Sequence, residues 1–148
     1  TTEDVLKRFY IEAEAREPHI IIFAVGTNDS SCRDSPSVPR VLPEKFKENI
    51  RTLIDAAKQR TGAVVWIGLT RVDEKRTTPF EATYFSHEQI RAYDAMIQEQ
   101  CRNSGVLYLD LFSVLNPEDL KDGLHPNKQG HDKLFHAVRD FLIGKGVI

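Results

Sequence analysis

Hydrophobic side chains recur along the chain with a helical period in some segments and in unbroken runs in others. The first helical pattern predicts a helix from Thr2 to Ala15. Its apolar stripe has the spacing i, i+3, i+4, i+7 and consists of Leu6, Phe9, Tyr10 and Ala13. Pro18 follows, and we expect the helix to end before it.

The next segment, His19–Gly26, reads HIIIFAVG and predicts a strand. Its apolar residues are successive, whereas a strand with one solvated face alternates apolar and polar positions. We therefore expect both faces of this strand to be buried, as in a parallel sheet.

The remaining chain repeats the alternation of helix and strand. Helices are predicted from Pro43 to Arg60, from a Ser86–Gln89 capping box to Ser104-Gly105, and after a cap at Asn127. The last of these has an inner face predicted to hold Leu134, Val138, Phe141 and Leu142. Further strands are predicted at Ala63–Leu69 and Val106–Leu111, and residues 27–42 and 70–85 are predicted to be long polar loops. This rhythm predicts one α/β domain over residues 1–148, with a parallel sheet and helices on both faces.

Composition narrows the class of partner. Apolar residues make up 41% of the 148, charged residues 28%, and the formal net charge is −2. We infer no nucleic-acid partner and no stable membrane insertion, because there is no basic patch and the longest apolar run, Ile20–Val25, is far too short to span a bilayer. Cys32 and Cys101 fit neither a zinc pattern nor a disulfide framework, so two free thiols are expected. Oligomeric state and cellular location are left open.

Two polar motifs follow predicted strands. Gly26-Thr27-Asn28-Asp29 ends the first strand, and Asp122-Gly123-Leu124-His125 follows the last one after a short connection. Parallel sheets place their chemistry outside the carboxyl ends of the strands, so we expect the two loops to converge.

These residue types suit acyl-transfer chemistry. His125 is a candidate general base, and Asp122, three residues earlier, can hold its second ring nitrogen. Asn28 carries an amide NH₂ suited to a developing oxyanion. Taken singly, the first motif is also typical of a plain turn and the His-Pro-Asn sequence of a helix start. A metal site from Asp122, His125 and His131 is a weaker reading, because no second cluster completes the ligand set.

The two motifs together, in order and spacing over nearly the whole chain, resemble the SGNH, or GDSL, family of esterases and lipases. The resemblance implies a flavodoxin-like three-layer α/β/α sandwich and no cofactor. It implies that Asn28 belongs to the oxyanion hole and that Asp122 and His125 are the acid and base of a Ser-His-Asp triad. The implied substrate is a small-molecule ester: a small acyl ester, a lysophospholipid or an acetylated sugar.

The family's G-D-S block, which carries the nucleophilic serine, does not occur in these 148 residues. None of the serines near the first motif is predicted to lie on a strand-to-helix turn; they are Ser30, Ser31, Ser35 and Ser37. In a flavodoxin-like strand order the Ile20–Val25 strand would be a flat apolar edge, which natural proteins avoid. We therefore expect the carboxyl-terminal part of a longer esterase, inactive without its nucleophile strand. The alternatives are a family member that binds ligands without cutting them and an unrelated flavodoxin-like binding domain.

Overall fold

The computed structural model describes residues 1–148 as a mixed α/β fold. Its helices are α1 (Thr2–Arg16), α2 (Thr27–Ser30), α3 (Pro43–Lys58), α4 (Glu74–Thr77), α5 (His87–Ser104) and α6 (Lys128–Gly144). Its strands are β1 (Ile20–Phe23), β2 (Cys32–Arg33), β3 (Ala63–Ile67), β4 (Thr83–Tyr84) and β5 (Leu107–Leu109), and one 3₁₀ turn covers Pro117–Asp119.

A three-stranded parallel sheet of order β1-β3-β5 forms the centre of the fold. Ile20 is opposite Ala63 at one end of the first ladder, and Val65 is opposite Leu107 at the start of the second. Parallel strands need crossover connections, and α3 and α5 supply them. The α/β class and the parallel sheet predicted from the sequence are confirmed.

The hydrophobic core lies between one face of this sheet and the helices α1, α3 and α5. The apolar stripe of α3 is fully buried and consists of Phe46, Ile50, Leu53, Ile54 and Ala57. Aromatic rings continue the core onto the sheet, with Phe23 centred 4.7 Å from Trp66. Burial of this apolar surface is the main stabilising contribution to such a fold.

The helix α6 lies against the opposite face of the sheet and packs less tightly. Leu134 and Val138 of α6 border a cavity of about 330 Å³ together with Ala24 and Ile67 from the sheet side. Only Gly130 and Leu142 of this helix are buried. The predicted inner face is therefore correctly placed but incompletely covered.

Several predicted details are wrong. Tyr10 was predicted to lie on the inner face of α1, but it is 49% exposed and only Phe9 and Ala13 of that stripe are buried. The sheet strands are shorter than predicted, because the chain leaves the sheet at Ala24 and Gly68. The predicted loops 27–42 and 70–85 contain α2, α4 and a two-stranded antiparallel ladder of β2 with β4.

The strand β1 forms the edge of the sheet. It pairs with β3 on one side, and no other segment of the 148 residues pairs with its second side. Ile22, predicted to be buried, is 40% exposed, whereas Ile21 and Phe23 on the opposite face are buried. Burial on both faces is therefore wrong for β1, although it holds for Val64, Val65 and Trp66 of β3. No helix in the structure has the length and apolar character needed to cross a membrane.

Candidate active site

Asp122 and His125 lie in direct contact in the loop that connects the 3₁₀ turn to α6. Asp122 Oδ2 is 2.8 Å from His125 Nδ1. The second carboxylate oxygen, Oδ1, accepts the backbone N–H of Leu124 at 3.0 Å and that of His125 at 2.8 Å. Lys121 N–H donates to His125 O at 2.8 Å and closes the loop. The predicted turn therefore folds the carboxylate back onto the imidazole.

The hydrogen bonds fix the charge of Asp122. The backbone N–H of His125, then its imidazole, then the backbone N–H of Leu124 hold the pKa of the Asp122 carboxyl well below its usual range. Asp122 is thus ionised at neutral pH, and its carboxylate can accept a hydrogen bond from the Nδ1–H of His125. The ring nitrogen Nε2 of His125 has no hydrogen-bond partner in the protein, and the side chain is 64% exposed. An imidazole so oriented can take a proton at Nε2.

The start of α6 bonds to the 3₁₀ turn that precedes Asp122 and His125. Asn127 Oδ1 accepts the N–H of Gly130 at 3.0 Å, which is the predicted cap, and Asn127 Nδ2 donates to Glu118 O at 2.7 Å. Lys133 Nζ donates to the buried carboxylate of Asp119 at 2.6 Å. The start of the helix is therefore tied to the 3₁₀ turn that precedes Asp122.

Asn28 lies where the chain turns out of the sheet after β1. Gly26 has φ of 141°, and an added Cβ would be 3.0 Å from Leu69 Cδ2, so this turn needs glycine. The side chain of Asn28 is exposed, makes no hydrogen bond within the protein and borders the 330 Å³ cavity beside Thr27 and Gly68. Its amide N–H groups are free to donate to a ligand.

Asp29 anchors the segment that presents Asn28. This carboxylate is fully buried and accepts the backbone N–H of Thr2 at 2.9 Å and its hydroxyl at 2.5 Å. Asn49 Nδ2 donates to the same hydroxyl oxygen at 3.0 Å. Burial raises the pKa of Asp29, and the two bonds from Thr2 oppose that rise. The first turn of α1 thus fixes α2.

The first motif directly follows β1, and the structure shows no hydrogen bond between Asn28 and Asp122 or His125. The β2–β4 ladder joins the loop that follows Asn28 to the loop that holds Phe80, with Arg33 opposite Thr83. Phe80, just before β4, lies edge-on to the His125 ring, with centroids 6.1 Å apart. An aromatic side chain therefore lies beside the imidazole, and the convergence of Asn28 with His125 stays a prediction.

No serine of the first loop contacts His125. Ser30 Oγ donates to Thr27 O at 2.9 Å and Ser31 Oγ to Asn28 O at 2.8 Å, and both residues are buried. Ser35 and Ser37 bond to each other. The serine hydroxyls nearest in sequence to Asn28 thus donate to backbone carbonyls.

Other features of the loops bear on the site. The structure has no cluster of three or more His, Cys, Asp or Glu side chains placed to hold a metal ion, and His131 lies on an exposed turn of α6. Phe80 and Arg76 contact the Asp122–His125 loop. The sequence placed both in a polar loop expected to border the site, where they were expected to face water, although an anionic ester was an alternative partner. Their position in the loop indicated that they border the site, but no periodic or motif signal indicated which residues they contact.

Comparisons with known proteins agree with this architecture. The model of the GDSL-like lipase/acylhydrolase family matches residues 1–133. A multidomain esterase of Ruminococcus flavefaciens is 26% identical over 121 residues, which are 79% of this chain and 14% of the esterase. The chain therefore spans a small part of that relative's length.

Two solved structures show the same fold. The lipase/acylhydrolase of Enterococcus faecalis superposes with a TM-score of 0.78 at 24% identity, covering 98% of this chain and 71% of that one. The acetylxylan esterase Axe2 of Geobacillus stearothermophilus superposes with a TM-score of 0.76 at 19% identity, covering 96% and 66%. With the family match over residues 1–133, the chain belongs to the GDSL-like lipase/acylhydrolase family.

Proposed function

We propose that this domain hydrolyses carboxylic esters of small molecules through a Ser-His-Asp triad in which Asp122 and His125 are the acid and base. The observation that carries the proposal is the hydrogen bond between Asp122 Oδ2 and His125 Nδ1, which leaves Nε2 unpartnered. An ionised aspartate in this position orients the imidazole and stabilises the imidazolium that forms.

The proposed reaction proceeds in two steps. His125 Nε2 takes the proton of a serine hydroxyl as its oxygen bonds to the ester carbonyl carbon, and the amide of Asn28 donates to the oxyanion. His125 then gives the proton to the departing alcohol as the ester C–O bond breaks. Water, deprotonated by the same imidazole, then bonds to the acyl carbon. The imidazole returns that proton to the serine oxygen as the acyl–serine bond breaks and the acid leaves.

A solved relative supports this assignment. Structures of the Geobacillus esterase describe catalytic mutants of one serine, one aspartate and one histidine, and its aspartate and histidine are three positions apart. Asp122 and His125 have the same spacing. In that esterase the serine lies far upstream of the other two.

We further propose that the serine comes from a segment that adds a strand to the open side of β1. None of the serines beside Asn28 contacts His125, and the 148 residues contain no G-D-S. The strand β1 pairs only with β3, and an added strand would hydrogen-bond to its open backbone edge. The 148-residue chain alone is then expected to lack esterase activity.

Fluorophosphonate labelling tests this proposal, because the reagent modifies a serine activated by a histidine. The 148-residue protein should remain unlabelled by mass spectrometry. The protein extended by the sequence encoded upstream of Thr1 should gain one adduct, and its His125→Ala variant should not. Labelling of the 148-residue chain would refute the nucleophile proposal. An extended protein that has the serine but does not react would point to the alternative, a domain that binds esters without cutting them.

A further inference from the structure

Arg76, on the short helix α4, contacts the segment that leads into Asp122. Its Nε donates to Asp73 Oδ2 at 2.8 Å. Its Nη2 donates to Pro117 O at 3.1 Å and Leu120 O at 3.3 Å, and its Nη1 donates to Lys121 O at 3.4 Å. The guanidinium thus joins one carboxylate to three carbonyls that lie within five residues of Asp122.

Main-chain contacts hold the same two segments together. Asp73 N–H donates to Gly123 O at 2.8 Å. Gly123 has φ of 95°, and a Cβ added there would be 2.8 Å from Arg76 Cβ. The backbone between Asp122 and His125 therefore lies directly against Arg76, and this close approach requires glycine.

The planar guanidinium of Arg76 is suited to bonding several acceptors at once. A guanidinium has five N–H donors in a fixed plane, so it can hold several acceptors at defined angles. The carbonyls of Leu120 and Lys121 lie just after the 3₁₀ turn, and Pro117 O, at its start, also accepts the N–H of Leu120 at 3.2 Å. A lysine ammonium could bond to some of these oxygens but could not hold all four groups in one plane.

We infer that Arg76 is a positioning residue for the Asp122–His125 pair: by fixing the 117–123 backbone, it sets where the Asp122 carboxylate meets the His125 imidazole. The inference rests on the proposed function, because it gives Arg76 its role through those two residues. Arg76 itself touches neither of their side chains by a hydrogen bond.

Arg139 provides a matched control. Its side chain is 41% exposed, compared with 40% for Arg76, and it too bonds a carboxylate. Its partner is the adjacent Asp140, and it bonds no backbone carbonyl. Loss of Arg139 thus removes a charge of equal exposure without releasing the Asp122 loop.

The test is the tautomer of His125, read from imidazole ¹⁵N chemical shifts of the 148-residue protein at alkaline pH. In the wild type the Nδ1–H form should predominate, since Asp122 accepts that proton. Arg76→Ala should lower the ratio of Nδ1–H to Nε2–H about fivefold, which corresponds to loss of one ordinary hydrogen bond. Arg139→Ala should leave the ratio unchanged.

Arg76→Lys distinguishes positioning from charge alone. It should shift the tautomer ratio almost as far as Arg76→Ala does. If the alanine variant does not fold, the lysine variant provides the test. An unchanged ratio in a folded Arg76 variant, or an equal shift in Arg139→Ala, would overturn the inference. The tautomer is measured without substrate, so this result is independent of whether the pair catalyses ester hydrolysis.

Discussion

Replacement of Asp29 by alanine should destabilise the domain by releasing the start of α1 from α2. Asp29 is fully buried, and its carboxylate accepts both the N–H and the hydroxyl of Thr2. Thr2 is fully buried as well, so water cannot replace the lost acceptor. The bonds from Thr2 to Asp29 are the only hydrogen bonds between α1 and α2, and the sequence did not suggest them.

The magnitude follows from the two donors left without a partner. A buried donor that loses its acceptor costs about 1–3 kcal/mol. Because the buried carboxylate is itself poorly solvated, as its raised pKa indicates, we expect the lower half of the combined range, about 3 kcal/mol. For a domain of this size the melting temperature should fall by about 6–12 °C.

Urea unfolding measures this directly. Trp66 is the single tryptophan of the chain and is fully buried, so its fluorescence reports loss of the core. The exposed Asp132 on α6 gives a matched control, and Asp132→Ala should change the free energy of unfolding by less than about 0.5 kcal/mol. A double-mutant cycle of Asp29→Ala with Thr2→Val should give a coupling of about 1 kcal/mol or more.

Two results would refute the reasoning. Asp29→Ala could be as stable as Asp132→Ala, which would mean that the carboxylate contributes nothing net. Alternatively, the cycle could show no coupling, which would mean that Asp29 acts through residues other than Thr2.

Three further predictions concern charge and backbone. The carboxyl ¹³C titration of Asp122 should give a pKa well below its ordinary value, and His125→Ala should move it upward; a midpoint at the ordinary value in the wild type would contradict the site geometry. Burial raises the pKa of Asp29 in the folded state, so its carboxyl favours folding most below the unfolded pKa of about 3.9 and less as the pH rises through the folded pKa. The stability of the wild type relative to Asp29→Asn should thus decrease from pH 4 upward, and an increase in urea titrations would contradict it. Gly123→Ala should lose more than about 1 kcal/mol of unfolding free energy, because φ is 95° and its Cβ would meet Arg76; unchanged stability would show that the loop relaxes freely.

Much of the fold could be predicted because its pattern is local. The α3 stripe and the continuous β3 run reflect the burial of a helix that covers the sheet and of a strand with neighbours on both sides. The contact of Asp122 with His125 could also be predicted, since three residues within one turn suffice to make it.

The remainder depends on contacts between distant residues. Arg76 lies more than 40 positions before the carbonyls that it bonds, and Asp29 lies 27 positions after Thr2. The two-residue strands β2 and β4 are too short to show a period. The exposure of Ile22 could not be read from an unbroken apolar run, because that run predicts burial on both faces and cannot show which neighbours cover them.

The most direct measurement is kcat/KM for p-nitrophenyl acetate, with the protein extended by the sequence encoded upstream of Thr1. We expect His125→Ala to lower kcat/KM by at least about 10⁴-fold, as loss of a triad histidine does elsewhere. His131→Ala, six residues away on the exposed side of α6, should retain activity within about twofold, because the role of the imidazole belongs to His125 alone. If His125→Ala hydrolyses the ester as fast as the wild type, Asp122 and His125 are not the acid and base of this family member.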